Sequence, residues 1–368
     1  MRLGCAIRGI GLVTPLGVGA HATWNALLDG QYITTHARVP IERDRAVARV
    51  DQLALLAARE ALAAIPPDPQ MSLIVGTSKG SVVDWITPLS HMQESAYVAG
   101  GSGGAFGLAS TADFLARELR LGNGARLTLS AACGSGLAAL ARGVMLIRSG
   151  ESSRVLVVAS EASLHPLFLG CFDRLGVLPR EEIGCRPFDE SRDGFLVSEA
   201  AAAVVLSRVD DWSKERWARI DRVALGGDAT HLTGSDPNGA TLRRMIRNVV
   251  AGDPVDLVHA HATGTVANDP IELAAYEAEC GGAKHAPAIY SHKGALGHSL
   301  GAAGLVSVVL NCIAQREGVV PGNVRTTEPL PAQRIIISNE PLKKRIRRSV
   351  AVAAGFGGAM AAISLETP

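Results

Sequence analysis

The sequence predicts a layered α/β protein, and three observations carry that prediction. Short β-branched runs alternate with Ala/Leu-rich stretches whose apolar residues recur at helical spacing. The strand-like runs show little polar alternation, which implies sheets covered on both faces. Composition suits close packing of backbone layers: 47% of the 368 residues are hydrophobic, 40 are Gly and only 4% are aromatic.

Taken in order, MRLGCAIRGIGLVTPLG reads as a strand running into a Gly/Pro loop, followed by the helix VDQLALLAAREALAAI. Strands in SLIVGTS and ARLTLSAAC lead to the helix GSGLAALARGVMLIRSG, then to strands in SRVLVVASEAS and AAAVVLSRV. At residues 209–218, VDDWSKERWA, charge and Trp interrupt the apolar pattern. Beyond that break come the strand ARIDRVALGGD and the helix NGATLRRMIRNVVAG. VDLVHAHATGT and NDPIELAAYEAEC form a strand and helix, as do APAIYSHK and AGLVSVVLNCIAQREG. SVAVAAGFGGAMAAISLE reads as the closing strand. On both sides of the break a strand enters a Gly-rich loop, IRGIGLVTPLG and IDRVALGGDATHLTG. Two related halves, residues 1–208 and 209–368, are therefore expected.

A net charge of +1 supplies no global field for nucleic acid, so any acidic partner must be read by a local patch. The six Cys, at 5, 133, 171, 185, 280 and 312, form no CxxC pair and no regular framework. That argues against structural disulfides or zinc and for a reducing cytosol. No apolar run reaches ~18 residues without charge or Gly/Pro punctuation, so no membrane helix is expected. The N-terminus lacks the apolar helix and cleavage site of a signal peptide. A cytoplasmic location is the expectation.

Three segments bear chemistry. In TLSAACGSGLAALARG a strand ends at Ser130 and Cys133 precedes a helix start, where unsatisfied N–H groups favour thiolate. Gly134 and Gly136 leave room for a second backbone or a thioester. The alternative is an inert small core residue. In VHAHATGTVANDPIE, His261 sits at a turn ahead of Asp269 and Glu272, while His259 lies within the strand and reads as structural. In IYSHKGALGHSLGAAG, Lys293 and His298 share a Gly-rich loop; the GxxxxGK[ST] order of a nucleotide-phosphate loop is absent. A core role competes for each histidine, but one Cys with two His at strand ends and turns suits nucleophilic catalysis on a thioester. GFGG at 355–358 adds a backbone turn able to supply an oxyanion-hole N–H.

SAACGSG, HATGTVANDPIE, SHKGALGHSLGAAG and GFGG resemble the Cys-His-His signature of β-ketoacyl-acyl-carrier-protein synthases of the type I/II class, and RPFDESRDGF resembles another block of that family. The resemblance runs nearly end to end. It implies a thiolase-like fold, two similar α/β halves forming a five-layer αβαβα sandwich. It further implies decarboxylative Claisen condensation of a Cys-bound acyl group with malonyl-acyl-carrier protein, in fatty-acid or specialised polyketide or polyene biosynthesis. By the same resemblance Cys133 accepts the acyl group, His261 and His298 hydrogen-bond the malonyl thioester oxygen, and Lys293 tunes that pair. The N–H groups of Cys133 and Phe356 form a second oxyanion hole, with Phe356 as gate. Thr263, Thr265 and Thr233 contact phosphopantetheine, and Arg45, Arg49 and Arg174 dock an acyl-carrier protein, in preference to the denser KKRIRR at 343–348. No cofactor or metal is implied. The implied partners are acyl-carrier protein and a second copy or a ketosynthase-like subunit.

Three departures stand out. Ala354, Ala359 and Met360 replace the larger or polar residues that usually flank GFGG; Ser307 stands where many relatives carry an acid facing the lysine; and the stretch before the Cys segment is short. A biosynthetic thiolase would need a second catalytic Cys near the C-terminus, whereas the last is Cys312. A type III synthase would carry Asn where His298 stands. The remaining alternative is a chain-length-factor subunit that shapes a partner's pocket; such subunits generally lack the nucleophile.

Overall fold

The structure is a computed structural model that describes residues 4–44, 46–66, 68–84, 86, 107–180, 183–209, 216–282 and 286–367. Its strands are β1 (Cys5–Thr14), β2 (Gly17–Val18), β3 (Ser72–Gly76), β4 (Arg126–Leu129), β5 (Arg154–Glu161), β6 (Ala200–Arg208) and β7 (Ala218–Gly227). They continue as β8 (Leu257–His259), β9 (Ala288–Tyr290), β10 (Val319–Val320), β11 (Ile336–Ile337), β12 (Leu342–Lys343), β13 (Arg348–Ala354) and β14 (Ala359–Glu366). The helices are α1 (Ala20–Leu28), α2 (Arg49–Ala61), α3 (Ser110–Glu118), α4 (Ser135–Ser149) and α5 (Pro166–Arg174). After these come α6 (Ala240–Val250), α7 (Asn268–Glu279), α8 (Lys293–Leu296) and α9 (Ala303–Glu317).

Strand order follows one pattern on the two sides of the sheet. One side of the sheet runs β4-β3-β5-β6-β1 and the other β9-β8-β13-β14-β7, the latter extended at its edge by β11, which pairs with β9 in parallel. In each, the three outer strands pair in parallel and the last two pairings are antiparallel. The halves join where Cys5–Ile7 of β1 pairs with Ala218–Ile220 of β7. The closing segment is two strands, β13 and β14, because Gly357 and Gly358 take positive φ and reverse the chain.

Burial on both sheet faces accounts for the apolar strands. In β5, Val155, Val157 and Ala159 face a central cluster with α4 and α9, while Leu156 and Val158 face an outer cluster with α2 and α3. In the second half, Val350 and Val352 pack with α6 and α7, whereas Ala351 and Ala353 face the central helices. The result is five layers, α2/α3, sheet, α4/α9, sheet, α6/α7. None of the described helices is long and apolar enough to cross a membrane.

The central helices touch at glycine. A Cβ on Gly136 would lie 3.0 Å from the Leu305 nitrogen and 3.1 Å from the Gly301 carbonyl oxygen; one on Gly304 would lie 2.8 Å from Leu137 Cγ. Backbone cannot yield at Gly136 as a flexible side chain can.

Arg49 belongs to this framework, which corrects its assignment to carrier docking. It is 9% exposed, bonds Glu199 through Nη2 at 2.9 Å and donates to the carbonyls of Val39 and Ile41. Glu199 also accepts the Val39 N–H at 3.0 Å, so the pair pins residues 39–41 to the sheet. Its guanidinium is spent on the fold and cannot meet a partner's carboxylate. Arg45 lies outside the described residues.

Two stability outcomes follow. Gly136→Ala should cost about 1–3 kcal/mol through overpacking, read as a lowered thermal midpoint, while Gly122→Ala, where a Cβ meets open space, should not lower it. Arg49→Ala should cost roughly 3–5 kcal/mol by leaving the buried Glu199 carboxylate with only the exposed Arg38, 3.9 Å away, as a cationic partner; a midpoint within a degree of the parent would show that the pair carries no such load.

Candidate active site

Cys133 lies two residues ahead of the first turn of α4, after Ala132, whose φ of 47° turns the chain sharply out of β4. Ser135 locks this turn: its hydroxyl donates to the Ala132 carbonyl at 2.6 Å and accepts the Ala131 N–H at 2.9 Å. The remaining exposure of Cys133 is to a cavity of about 510 Å³ that His261, His298, Phe356 and Thr263 also line. Burial pushes its thiol up to about 11, opposed by the Lys79 and Lys293 ammonium groups and reinforced by the Glu161 carboxylate. The expectation of a lowered pKa rested on the helix end alone; desolvation outweighs it, so the resting residue is a thiol.

His298 reaches the same point from the opposite half. Gly297 takes φ 73°, and the His298 N–H bonds the Leu196 carbonyl at 2.7 Å while its own carbonyl accepts the Ser198 N–H at 3.1 Å. This clamp sets Nε2 at 3.2 Å from Cys133 Sγ. The ring meets Phe195 edge-on at 5.0 Å and His261 edge-on at 5.5 Å between centroids. Nδ1 of His298 is buried with no partner among the described residues.

Two carboxylates of α7 hold the turn that carries His261. Glu272 accepts the N–H groups of His261 at 2.6 Å and Ala262 at 2.7 Å, with the Tyr276 hydroxyl at 2.5 Å. Asp269 accepts the N–H groups of Gly264 at 3.1 Å and Phe188 at 2.9 Å. Backbone donors offset the cost of burying these groups, yet burial still pushes Asp269 up to about 7 and raises Glu272.

Lys293, 1% exposed, donates its ammonium to the His261 carbonyl. Burial lowers its pKa, and Glu272 is the foremost of the anionic groups opposing that shift. Ser307 instead bonds the Ala303 carbonyl of its own helix at 3.2 Å. Glu272 thus fills the electrostatic role that the sequence left open. Desolvation first, then the Lys293 charge, hold both His261 and His298 well below the ordinary imidazole range, so both rings are neutral.

The glycine turn packs against the cysteine turn. A Cβ on Gly355 would sit 3.0 Å from the Cys133 nitrogen and 2.8 Å from the Ala131 carbonyl oxygen. The turn's internal bonds use the N–H groups of Gly355 and Gly358, and Gly357 bonds the Leu232 carbonyl; the Phe356 N–H takes part in none of these. Phe356 packs with Phe172, Phe195 and Cys133, and Ala354 and Met360 line the cavity with His261.

Thr263, Thr265 and Thr233 all line the cavity, with the hydroxyls of Thr263 and Thr265 3.1 Å apart. Arg174 is exposed at the end of α5, directly before the cavity-lining residues Leu175–Val177. His259 is structural, its Nδ1 2.9 Å from Asn311 Oδ1 and its Nε2 2.9 Å from His292 Nδ1. Sequence reasoning missed Glu161 and Lys79. Glu161 was visible as an acid inside an apolar strand run; Lys79, in the turn after β3, carried no signal.

Comparison with known proteins agrees with this architecture. The Beta-ketoacyl synthase N-terminal domain matches residues 37–211 and the corresponding C-terminal domain residues 217–327. The chain is 28% identical to the tetracenomycin polyketide synthase ketoacyl synthase alpha subunit of Streptomyces glaucescens, covering 98% of this chain and 96% of that one. It is 30% identical to a putative polyketide beta-ketoacyl synthase 1 of Streptomyces cyaneus, over 99% and 98%. Among solved structures, a type II polyketide acyl-carrier protein in complex with its hexaketide-bound ketosynthase aligns with TM-score 0.89 at 22% identity. The ishigamide ketosynthase/chain length factor aligns at 0.88 and 24%; both cover 100% of each chain. The fold is thiolase-like, and the chain belongs to the β-ketoacyl synthase family of condensing acyltransferases.

Proposed function

We propose that this protein carries an acyl group on Cys133 and extends it with a malonyl unit under the direction of His261 and His298. The observation that carries this reading is the 3.2 Å approach of Cys133 Sγ to His298 Nε2, in a cavity that His261 shares. In the first step the Cys133 thiolate attacks an acyl thioester. The N–H groups of Cys133 and Phe356 hold the tetrahedral oxyanion, and collapse expels the carrier thiolate, which takes up a proton in place of the one Cys133 gave up. In the second, the malonyl carbon–carboxylate bond breaks, CO₂ leaves, and the electron pair becomes an enolate whose oxygen accepts N–H bonds from the two histidines. The enolate carbon then attacks the Cys133 thioester and expels the sulfur, leaving a β-ketoacyl thioester on the carrier.

Neutral imidazoles suit the second step, because an N–H donor stabilises developing charge without proton transfer. That role calls for the His298 proton on Nε2, the nitrogen facing the sulfur, with Nδ1 left unprotonated. Thr263, Thr265 and Thr233 would contact the phosphopantetheine arm, and Arg174 would meet an acidic acyl-carrier protein at the cavity mouth. The polyketide relatives favour a specialised route over housekeeping fatty-acid elongation, with a second ketosynthase-like subunit as partner. The presence of Cys133 with both histidines favours the catalytic role over that of a chain-length factor.

Intact-mass analysis after mixing with acyl-carrier-bound acyl groups should show an acyl adduct that Cys133→Ala abolishes, whereas Cys133→Gln should keep malonyl decarboxylation. Continued condensation by the Ala variant would disprove the nucleophile assignment. His261→Ala and His298→Ala should each slow CO₂ release by ~10²-fold or more; an unchanged rate in either would remove that ring from the enolate site.

A further inference from the structure

We propose that Lys79 is a positioning residue for charge at the reacting sulfur: its ammonium stabilises the Cys133 thiolate against burial and against the nearby Glu161 carboxylate. The inference rests on the reading of Cys133 as nucleophile and assigns a role to a residue outside the Cys-His-His set.

Glu161, fully buried at the end of β5, ties three loops together. It accepts the Ser78 N–H at 2.8 Å, the Ser78 hydroxyl at 2.6 Å and the Gly301 N–H at 3.2 Å, along with the Ser163 hydroxyl. These loops follow β3 and β5 and lie just beyond His298. The arrangement fixes the site but puts a negative charge where a thiolate must form, and like charges oppose each other.

Lys79 supplies the counter-charge. Its Nζ donates to Ser78 Oγ at 3.0 Å, completing a chain from Lys79 through Ser78 to Glu161. It lies 5.0 Å from the ring centroid of Phe168 and 5.7 Å from that of Phe172, and Phe172 lines the cavity with Cys133. Aromatic faces hold a cation without neutralising it as a carboxylate would. Cys133 is faced by Lys79 from the turn after β3, Lys293 from α8, Glu161 from β5, and the neutral rings of His261 and His298. The turn bearing Lys79 touches the one bearing Cys133: Ser130 Oγ, three residues ahead of the cysteine, lies 3.5 Å from the Ser78 carbonyl oxygen. The Lys293 ammonium is engaged by the His261 carbonyl and attracted by Glu272. With the His298 proton on Nε2, that ring faces the sulfur as a donor and cannot take the thiol proton, so the cations set how readily thiolate forms.

The test is the pH profile of Cys133 alkylation by iodoacetamide on the full chain, followed by intact mass with Cys133→Ala as background for the other thiols. Lys79→Met should move the thiol titration upward by about one unit and slow alkylation at pH 8 by roughly three- to ten-fold, while Lys79→Arg should stay near the parent. Lys79→Gln, which keeps a donor for Ser78, is read the same way should the Met variant unfold. An unmoved profile in the neutral variants, or an Arg variant as slow as Met, would overturn the proposal and leave Lys79 an anchor for two rings. Acylation by an acyl thioester is followed in the same samples. Failure of the parent to acylate would overturn the nucleophile reading, whereas normal acylation with an unmoved titration overturns the role of Lys79 alone.

Discussion

The site depends on how closely α4 and α9 approach each other. Each helix opens where its half-sheet delivers a reactive loop, Cys133 ahead of α4 and His298 ahead of α9. Gly136 and Gly304 place backbone against backbone and side chain against backbone at this crossing, with no Cβ between them. Larger residues would separate the axes, since interaxial distance follows the side chains at the contact. The 3.2 Å between sulfur and imidazole therefore follows from a glycine contact in the central layer.

Burial sets the electrostatics that result. Desolvation keeps the thiol protonated and both imidazoles neutral, and its penalty on Asp269 and Glu272 is offset only in part by their backbone N–H partners. The acids are structural: they shape the turns bearing His261, Ser78 and Gly301. Lys293 is attracted by Glu272, and in the other half Lys79 is linked to Glu161 through the Ser78 hydroxyl. Donors that are neutral when idle can meet charge that develops only during reaction, which is what a condensing site requires.

Much of this was legible in the chain. The apolar runs of β5 and β6 and the helical periodicity of α2, α4 and α9 were plain because both sheet faces are covered and the pattern is long. The nine-residue helices α1, α3 and α5 escaped notice, being too short for a strong period. The hairpin of β13 and β14 was read as one strand, although GFGG carried the glycines that reverse it. Arg49 looked like a surface charge because nothing local to it revealed Glu199, 150 residues away.

The sequence by itself determined the α/β layering and brought Cys133, His261 and His298 forward as candidate reactive residues, since these are written in local periodicity and in motifs a few residues long. Only the tertiary structure decided what surrounds them. Cys133 and His298 are 165 residues apart, and the Glu161 contact to Ser78 spans 83. A side chain's protonation and partners depend on neighbours brought in by folding, so the raised thiol, the structural Arg49 and the cation at Lys79 became visible only once the two halves were packed together.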